Sequence, residues 1–436
     1  MAVLTVAVLA VVAWHQAVDI ESGDRFAWIW VGLSVVMAAT QGLAWADRPK
    51  QASPLYQADL DSLRVTVNVP VYNEDPAALK LVALALARQI RPPQRVEFVD
   101  DGSDQFGYED IRHELARLSR RYPATEFRWI RTERGPDSGK RAAQAVTVRG
   151  DPDADIYATI DSDTILDPRA IAEGLKPFAD PRVESVAAML LVFNANRNVI
   201  AALTEIWLAV YQLGIRAAWS ALGRVMVNSG GLAFYRGDLL RDALPAYLGE
   251  TFAGKRVSYS DDAMLTFFAM LRGRTVQQPT CFAFTIMPEK VSHHVRQQLR
   301  WFRGSVIRTY WWFRYLSPQG LAWWLALAAV AQFVVTTFLI ATIYIVVPLA
   351  GQHLPPVPSL WSLLGLSYLV SLRALMVRRS DQGLMTRLAV FAFSPLISLW
   401  SVTVLRALQL WAVATSGRSG WGTRGKVEVT IAGGAS

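Results

Sequence analysis

The chain has 436 residues, of which 52% are hydrophobic and 18% are charged, against about 25% charged residues in an ordinary soluble domain. This composition excludes a disordered chain, and it leaves more apolar surface than one globular core would bury. The single cysteine, Cys281, excludes a disulfide within the chain and any metal site built from several cysteines. The net charge of +8 is compatible with nucleic acid, an anionic membrane or a phosphorylated substrate, so the positions of the charges must decide.

Two uncharged apolar stretches open the chain, at 1–18 and 26–46. Each is close to the ~20 residues that cross the hydrocarbon core of a bilayer. A cleaved signal peptide is the alternative for the first stretch. It would carry basic residues ahead of the apolar run, whereas the first basic residue here is Arg25. We therefore predict a transmembrane hairpin of two spans over residues 1–46.

Residues 47–300 alternate between short apolar runs and helical patterns. Strands are predicted at 64–71, 96–99, 127–130 and 156–160, and helices from residue 76 and near 108–121, 139–148 and 168–176. This alternation predicts an α/β domain with a mainly parallel sheet. Because such sheets bind ligands beyond the carboxyl ends of their strands, the residues that follow each strand are the first candidates for a site.

Acidic residues follow three of the predicted strands. The first strand runs into Tyr72-Asn73-Glu74-Asp75, the second into Asp100-Asp101 and the fourth into Asp161-Ser162-Asp163. Any one of these acids can instead cap the helix that follows its strand. Together they would repel one another unless a cation or ligand hydroxyls lay among them. The Asp161-x-Asp163 pair suits Mg²⁺ or Mn²⁺ bound together with phosphate oxygens, which indicates a nucleoside-diphosphate substrate.

The segment Gly139-Lys140-Arg141 has the glycine and lysine of a P-loop but not the rest of the motif. Position 134, where the first glycine belongs, is an arginine, and Arg141 stands where Ser or Thr is required. Lys140 and Arg141 therefore remain available either for phosphate contact or as the solvated start of a helix.

Three kinds of side chain further along suit chemistry on a sugar. An aspartate of the pair Asp261-Asp262 can act as general base on an acceptor hydroxyl. Arg300 can neutralise a departing diphosphate, and Trp301 offers a flat face to a sugar ring.

The C-terminal part of the chain is again apolar. Residues 301–319 interleave arginines with aromatic side chains directly before a span. Without any other nucleic-acid motif, this pattern favours an amphipathic interfacial helix over nucleic-acid binding. Two transmembrane helices are predicted within 320–383. A broken or interfacial helix over 384–415, favoured over a simple crossing, then leads to a cytosolic tail over 416–436. Basic residues beside the spans place 47–316 in the cytoplasm by the positive-inside rule.

Taken in order, these motifs resemble the membrane-integrated, processive glycosyltransferases of family 2, the class of hyaluronan, chitooligosaccharide and cellulose synthases. The resemblance runs from about residue 65 to 426. It rests on PVYNED (70–75), VDDGS (99–103), SGKR (138–141), DSDT (161–164), SGGLAFYR (229–236), SDDAMLT (260–266), QQLRW (297–301) and WGTRGK (421–426). It implies a GT-A-like α/β domain fused to transmembrane helices, UDP-sugar donors, and Mg²⁺ or Mn²⁺ as cofactor.

The resemblance also implies a role for each motif residue. Asp262, beside Asp261, would deprotonate the acceptor hydroxyl. A second group would frame the acceptor end and the leaving group: Gln297, Arg300 and Trp301. Asp163, with Asp161, would ligate the metal ion. The nucleotide would be held by Tyr72, Glu74, Asp100, Asp101, Lys140, Arg141 and Asp161, together with Trp421, Thr423 and Arg424 from a loop that closes over it.

The implied function is elongation, with inversion, of a β-linked hyaluronan- or chitin-like polysaccharide and its passage across the plasma membrane. The implied partners are a UDP-sugar, the growing glycan and the lipid bilayer, with no nucleic acid. A non-processive transferase acting on a lipid or short oligosaccharide is the first alternative. A membrane transporter or scaffold with a nucleotide-sensing domain is the second, although few charges lie within the spans and no inverted repeat is present.

Two departures from the family pattern matter. Ser260 and Ala263 flank the aspartate pair where the family often has glycine and arginine, so sugar selectivity does not transfer from it. The chain also ends ten residues after position 426, where hyaluronan synthases usually continue into further spans. This leads us to expect a smaller relative.

Overall fold

The computed structural model describes residues 2–21, 23, 27–135, 138–351, 358–377 and 382–417. Its centre is an eight-stranded sheet, and a two-stranded hairpin lies beside it. The strands are β1 (Val65–Val71), β2 (Arg95–Asp100), β3 (Glu126–Arg131), β4 (Ile156–Ile160), β5 (Thr164–Leu166), β6 (Val183–Val192), β7 (Leu232–Arg236), the hairpin strands β8 (Thr251–Phe252) and β9 (Lys255–Arg256), and β10 (Arg274–Thr285). The four strands predicted from the sequence are confirmed.

The sheet has a parallel half and a mixed half. Its strand order is β3-β2-β1-β4-β7-β6-β10-β5. The first four strands run parallel, β7 is antiparallel to both of its neighbours, β6 and β10 are parallel, and β5 is antiparallel to β10. The α/β class is confirmed. The sheet itself is mixed, because the predicted alternation of strands and helices covers only β1 to β4.

Eighteen α-helices are described. They are α1 (Ala2–Glu21), α2 (Ala27–Ala46), α3 (Pro54–Ser62), α4 (Pro76–Ala87), α5 (Glu109–Arg121), α6 (Lys140–Gly150), α7 (Ala170–Leu175), α8 (Val199–Tyr211), α9 (Ala217–Ala221), α10 (Gly237–Leu248), α11 (Asp261–Arg272), α12 (Val291–Tyr315), α13 (Leu321–Ala341), α14 (Val347–Leu349), α15 (Pro358–Ser371), α16 (Leu384–Ala392), α17 (Ser394–Trp400) and α18 (Arg406–Ala414). The single helix α12 runs through position 300, so the border predicted between 300 and 301 falls inside it.

The middle strands of the sheet are fully buried, so the residues at their ends are held in fixed positions. Every residue of β1, β4 and β6 is buried, as expected of strands covered on both faces. Pro76 occupies the first turn of α4, and Asp75 caps that helix by accepting a hydrogen bond from the backbone N–H of Ala77 at 2.9 Å. The helix-cap alternative therefore holds for Asp75.

Three helical segments among the described residues are long and apolar enough to cross a membrane: Val199–Ala221, Leu321–Ala341 and Ser394–Ala414. The first is 50% buried inside the protein, against 11% and 17% for the other two. It packs on β6, so this segment covers the sheet. In the predicted 384–415 region the helix breaks between α16 and α17, and from Ser394 onward the chain is helical over 21 residues.

Candidate active site

A cavity of about 820 Å³ opens at the carboxyl ends of β1 and β4. Its wall includes ten residues singled out from the sequence: Tyr72, Glu74, Lys140, Asp161, Asp163, Asp261, Asp262, Gln297, Arg300 and Trp301. These residues come from the ends of strands, from the start of α6 and α11, and from one face of α12. The cavity then continues between α12, α13 and α18, where Val330, Phe333 and Gln409 line it.

Lys140 lies at the centre of the charged part of the cavity. Its Nζ is 2.7 Å from an Asp161 carboxylate oxygen and 2.7 Å from an Asp261 carboxylate oxygen. Gly139 allows this placement, because its φ of +133° is a conformation in which a side chain would be strained. One cation thus joins two acidic segments that are 100 residues apart in the sequence.

Burial and charge set distinct protonation states for the three central groups. Burial raises the pKa of the Asp262 carboxyl to about 7, and the neighbouring Asp261 carboxylate adds to this increase. Burial also disfavours ionised Asp261, but its ion pair with Lys140 prevails and lowers its pKa. For Lys140 the carboxylates likewise outweigh burial, so its pKa lies above the usual range. At neutral pH Asp262 is therefore divided between its acid and base forms, which suits a general base.

Asp161 and Asp163 present oxygen ligands to the same cavity. No group of three or more His, Cys, Asp or Glu side chains within the described ranges is placed to hold a metal ion by itself. Mg²⁺ and Mn²⁺ accept such a sparse protein shell when phosphate oxygens complete it, so the donor set fits an ion carried with a diphosphate. The backbone at Gly230 packs closely against Asp161. A Cβ added at this glycine would lie 3.2 Å from an Asp161 carboxylate oxygen.

Tyr72 and Glu74 form the wall beside the end of β1. The guanidinium of Arg134 lies over the Tyr72 ring, 3.7 Å from its centroid. Glu74 accepts a hydrogen bond from the Ser162 hydroxyl at 2.6 Å, which ties the end of β1 to the acidic turn after β4. The stacked arginine and the tied turn hold this wall of the cavity in place.

The N-terminal half of α12 supplies the opposite wall. His293, Gln297 and Arg300 recur at helical spacing on one face and line the cavity, as does Trp301. The Trp301 ring stacks on Trp207 of α8, with centroids 6.2 Å apart and planes 13° apart. Flat apolar faces beside charged and amide groups are suited to a sugar.

Three predicted contacts are not brought to the cavity. Asp100 stabilises its own turn, accepting from the backbone N–H of Ser103 at 2.9 Å. Asp101 is buried beside it, 4.0 Å from the guanidinium of Arg134. Arg141 points away from Lys140 into the interior and donates to Glu250 at 2.6 Å. The predicted loop residues Trp421, Thr423 and Arg424 lie outside the described residues.

Several wall residues were not assigned to the site from sequence. Trp207, Tyr211 and Trp219 line the cavity, although the apolar pattern of their helix favours a core or membrane surface equally well. The Ser229-Gly230-Gly231 turn also lines it, and its signal was the run of small residues before β7. His293 also lines the cavity, although the adjacent pair His293-His294 suggests surface or interface residues from the sequence.

Comparison with known proteins places this geometry in a family. Residues 63–304 match the model described as glycosyltransferase like family 2. The chain is 31% identical over 398 residues to a hyaluronan synthase of Streptococcus pyogenes, covering 89% of this chain and 88% of that protein. It is 29% identical over 367 residues to an N-acetylglucosaminyltransferase of Azorhizobium caulinodans, covering 83% and 87%.

The fold has a counterpart among solved structures. A mannosyltransferase from Pyrobaculum calidifontis, solved in complex with GDP-Man and Mn²⁺, superposes with a TM-score of 0.50 at 18% identity. The superposition covers 95% of this chain and 98% of that one, and it supports the GT-A-like architecture alone. With the matched domain and the 31% identical relative, the conclusion is that this chain is a glycosyltransferase and belongs to family 2.

Proposed function

We propose that the protein elongates a β-linked polysaccharide from UDP-sugar donors, inverting the anomeric centre at each transfer, and passes the product across the membrane through its own helices. The continuity of the cavity carries this proposal. The same cavity contains Lys140 and Asp262 at one end and Phe333 of α13 and Gln409 of α18 at the other. In this proposal, a glycan extended at the charged end leaves the site between these apolar helices. The names of the two relatives, a hyaluronan synthase and an N-acetylglucosaminyltransferase, support a polysaccharide product, while the choice of sugar is left to the experiment below.

The proposed reaction follows from the positions of the wall residues. Asp262 takes the proton of the acceptor hydroxyl, and the resulting oxygen attacks the anomeric carbon while the bond to the diphosphate breaks. Lys140 and Arg300 face the charge that develops on the leaving group. Trp301 and Trp207 hold the acceptor sugar against the attacking position. Asp161 and Asp163 would hold Mg²⁺ or Mn²⁺, which neutralises diphosphate charge when bound.

The proposed orientation follows the basic residues. Arg48 and Lys50 follow α2 and Arg314 precedes α13, so along the chain they lie on the catalytic-domain side of both helices. By the positive-inside rule this side is cytoplasmic, where nucleotide sugars are made available to the site. We also propose that residues 1–46 cross the membrane twice and that residues 301–319 lie at the membrane surface.

The decisive experiment measures product length. Membranes containing the protein are supplied with labelled UDP-GlcNAc, UDP-GlcA or UDP-Glc and with Mg²⁺ or Mn²⁺, and the intact products are sized. A separate portion is digested with linkage-specific hydrolases to identify the linkage. We expect long chains to appear while most acceptors are still unextended. Products lengthened by only one or two sugars would instead establish the non-processive alternative.

The pH dependence of catalysis should reveal the base. Because the pKa of Asp262 is raised to about 7, this carboxyl is increasingly protonated below pH 7 and cannot accept the hydroxyl proton. We expect kcat/KM to rise with pH, to be half-maximal near pH 7 and to fall to about a tenth of its plateau one unit lower. Donor binding is measured across the same range as the control. A kcat/KM that is flat between pH 5.5 and 8 would contradict the assignment.

A further inference from the structure

Glu250 forms a buried junction outside the cavity. It lies between α10 and β8, and only 5% of its surface is exposed. Its carboxylate accepts hydrogen bonds from Arg141 at 2.6 Å, from Arg308 at 3.1 Å and from the indole N–H of Trp311 at 2.8 Å. One buried anion is therefore shared by two arginines and a tryptophan from two different helices.

The donors connect both walls of the site. Arg141 directly follows Lys140, and its guanidinium also donates to the backbone carbonyl of Tyr259 at 3.0 Å. Tyr259 leads into the turn that carries the aspartate pair. Arg308 and Trp311 belong to α12, seven and ten residues after Trp301. Glu250 thus links the start of α6, the turn before α11 and the helix that carries the acceptor wall.

Helix α12 packs tightly against the turn that precedes the aspartate pair. A Cβ added at Gly304 of α12 would lie 2.7 Å from the Cβ of Ser260. Ser260 itself adopts φ +60°, an uncommon conformation for a residue with a side chain. Because Asp262 follows Ser260 by two positions, a small movement of α12 at Gly304 displaces the general base.

The junction is not arranged for stability alone. The guanidinium Nε atoms of Arg141 and Arg308 are buried without a hydrogen-bond partner in the described part of the chain. Two cations share one anion, and a buried ion pair of this kind is often no more stable than apolar packing of the same volume. Because the buried charges add little to the free energy of folding, we attribute the cluster to the way it fixes the position of α12.

We propose that Glu250 is a positioning residue that fixes α12, with Gln297, Arg300 and Trp301, in register with the Asp262 turn. The inference rests on the proposed transfer reaction, since it assigns Glu250 to the geometry of that step. A displacement of about 1 Å between reacting groups can cost on the order of 10²-fold in rate. Donor binding also rests on Tyr72, Glu74 and the Asp161 turn, which Glu250 does not contact, so it should be affected less than the transfer step.

The test is the Glu250→Gln variant, measured in two ways. Steady-state transfer should show kcat lowered about 10- to 100-fold with the donor KM within threefold of wild type. Hydrogen–deuterium exchange should increase in segments 257–263 and 301–311 together. The matched control is Glu173→Gln, which removes a partly buried carboxylate bonded to Lys176 and Thr280 at 2.6 Å each, outside the cavity wall. We expect its kcat to match wild type.

Three outcomes decide the proposal. A kcat within twofold of wild type, or an equal loss in Glu173→Gln, overturns it. If Glu250→Gln does not fold, Trp311→Phe removes only one donor, and we expect its kcat to fall about 3- to 10-fold at constant donor KM. Unchanged kcat and unchanged exchange in that variant also overturn it. If wild-type protein performs no sugar transfer, the proposed function fails, while the exchange of the two segments still tests the junction.

Discussion

Replacement of Asp262 by asparagine is expected to lower the transfer rate by about 10²- to 10⁴-fold, the range that a positioned general base contributes. Asparagine keeps the shape of the side chain, including the oxygen that accepts from the backbone N–H of Ala263 at 2.9 Å. It cannot take a proton at neutral pH. Donor binding should be retained, since Lys140 and the Asp161 turn remain. The measurement is single-turnover transfer beside equilibrium binding of UDP.

The control for Asp262→Asn is Asp151→Asn. Asp151 is also buried, and it is bonded to Arg64 at 3.0 Å, but it does not line the cavity. Its replacement should lower stability and leave kcat near the wild-type value. If Asp262→Asn keeps more than a tenth of wild-type transfer while it binds UDP normally, another group is the base and the proposed mechanism is wrong.

The first half of the domain could be predicted from sequence because its signals are local. β1 to β4 are short runs in which β-branched or aromatic residues recur, and the turns after β1 and β4 contribute Tyr72, Glu74, Asp161 and Asp163 to one cavity. These turns meet in one place because the carboxyl ends of parallel strands lie at the same edge of the sheet. The second half could not be read this way, since the antiparallel insertion of β7 depends on pairings between distant segments.

Adjacent residues with the same chemistry take different positions, because their positions also depend on contacts between distant segments. Lys140 and Arg141 were equal candidates for phosphate contact, but successive positions on a helix point in different directions. Lys140 faces the carboxylates, whereas Arg141 faces Glu250 in the interior. Similarly, Asp161 turns to the cavity while Asp75 caps α4. Whether an acidic residue lines the cavity or caps a helix depends on tertiary contacts, which a short sequence motif does not specify.

The second large effect is expected on replacing Lys140 by methionine. The change keeps most of the side-chain volume and removes the cation that bonds Asp161 and Asp261. The charge-assisted hydrogen bond to Asp161 contributes about 1.5–3 kcal/mol, and the ion pair to Asp261 is lost with it, so we expect kcat/KM to fall on the order of 10²-fold or more. The carboxylates would then repel the diphosphate as well as one another, and the donor KM should rise. This combination separates Lys140→Met from Asp262→Asn, in which donor binding is kept.

Lys176→Met is the matched control for the lysine. Lys176 forms an ion pair with Glu173 at 2.6 Å and lies outside the cavity wall, so its replacement removes a similar contact without touching the site. We expect wild-type kcat/KM and donor KM from it. Because Lys140 opposes the repulsion among three carboxylates, Lys140→Met should also move the rising limb of the pH profile above pH 7, as the pKa of Asp262 increases further. A Lys140→Met enzyme with wild-type donor KM and an unshifted limb would show that this lysine does not organise the acidic cluster during catalysis.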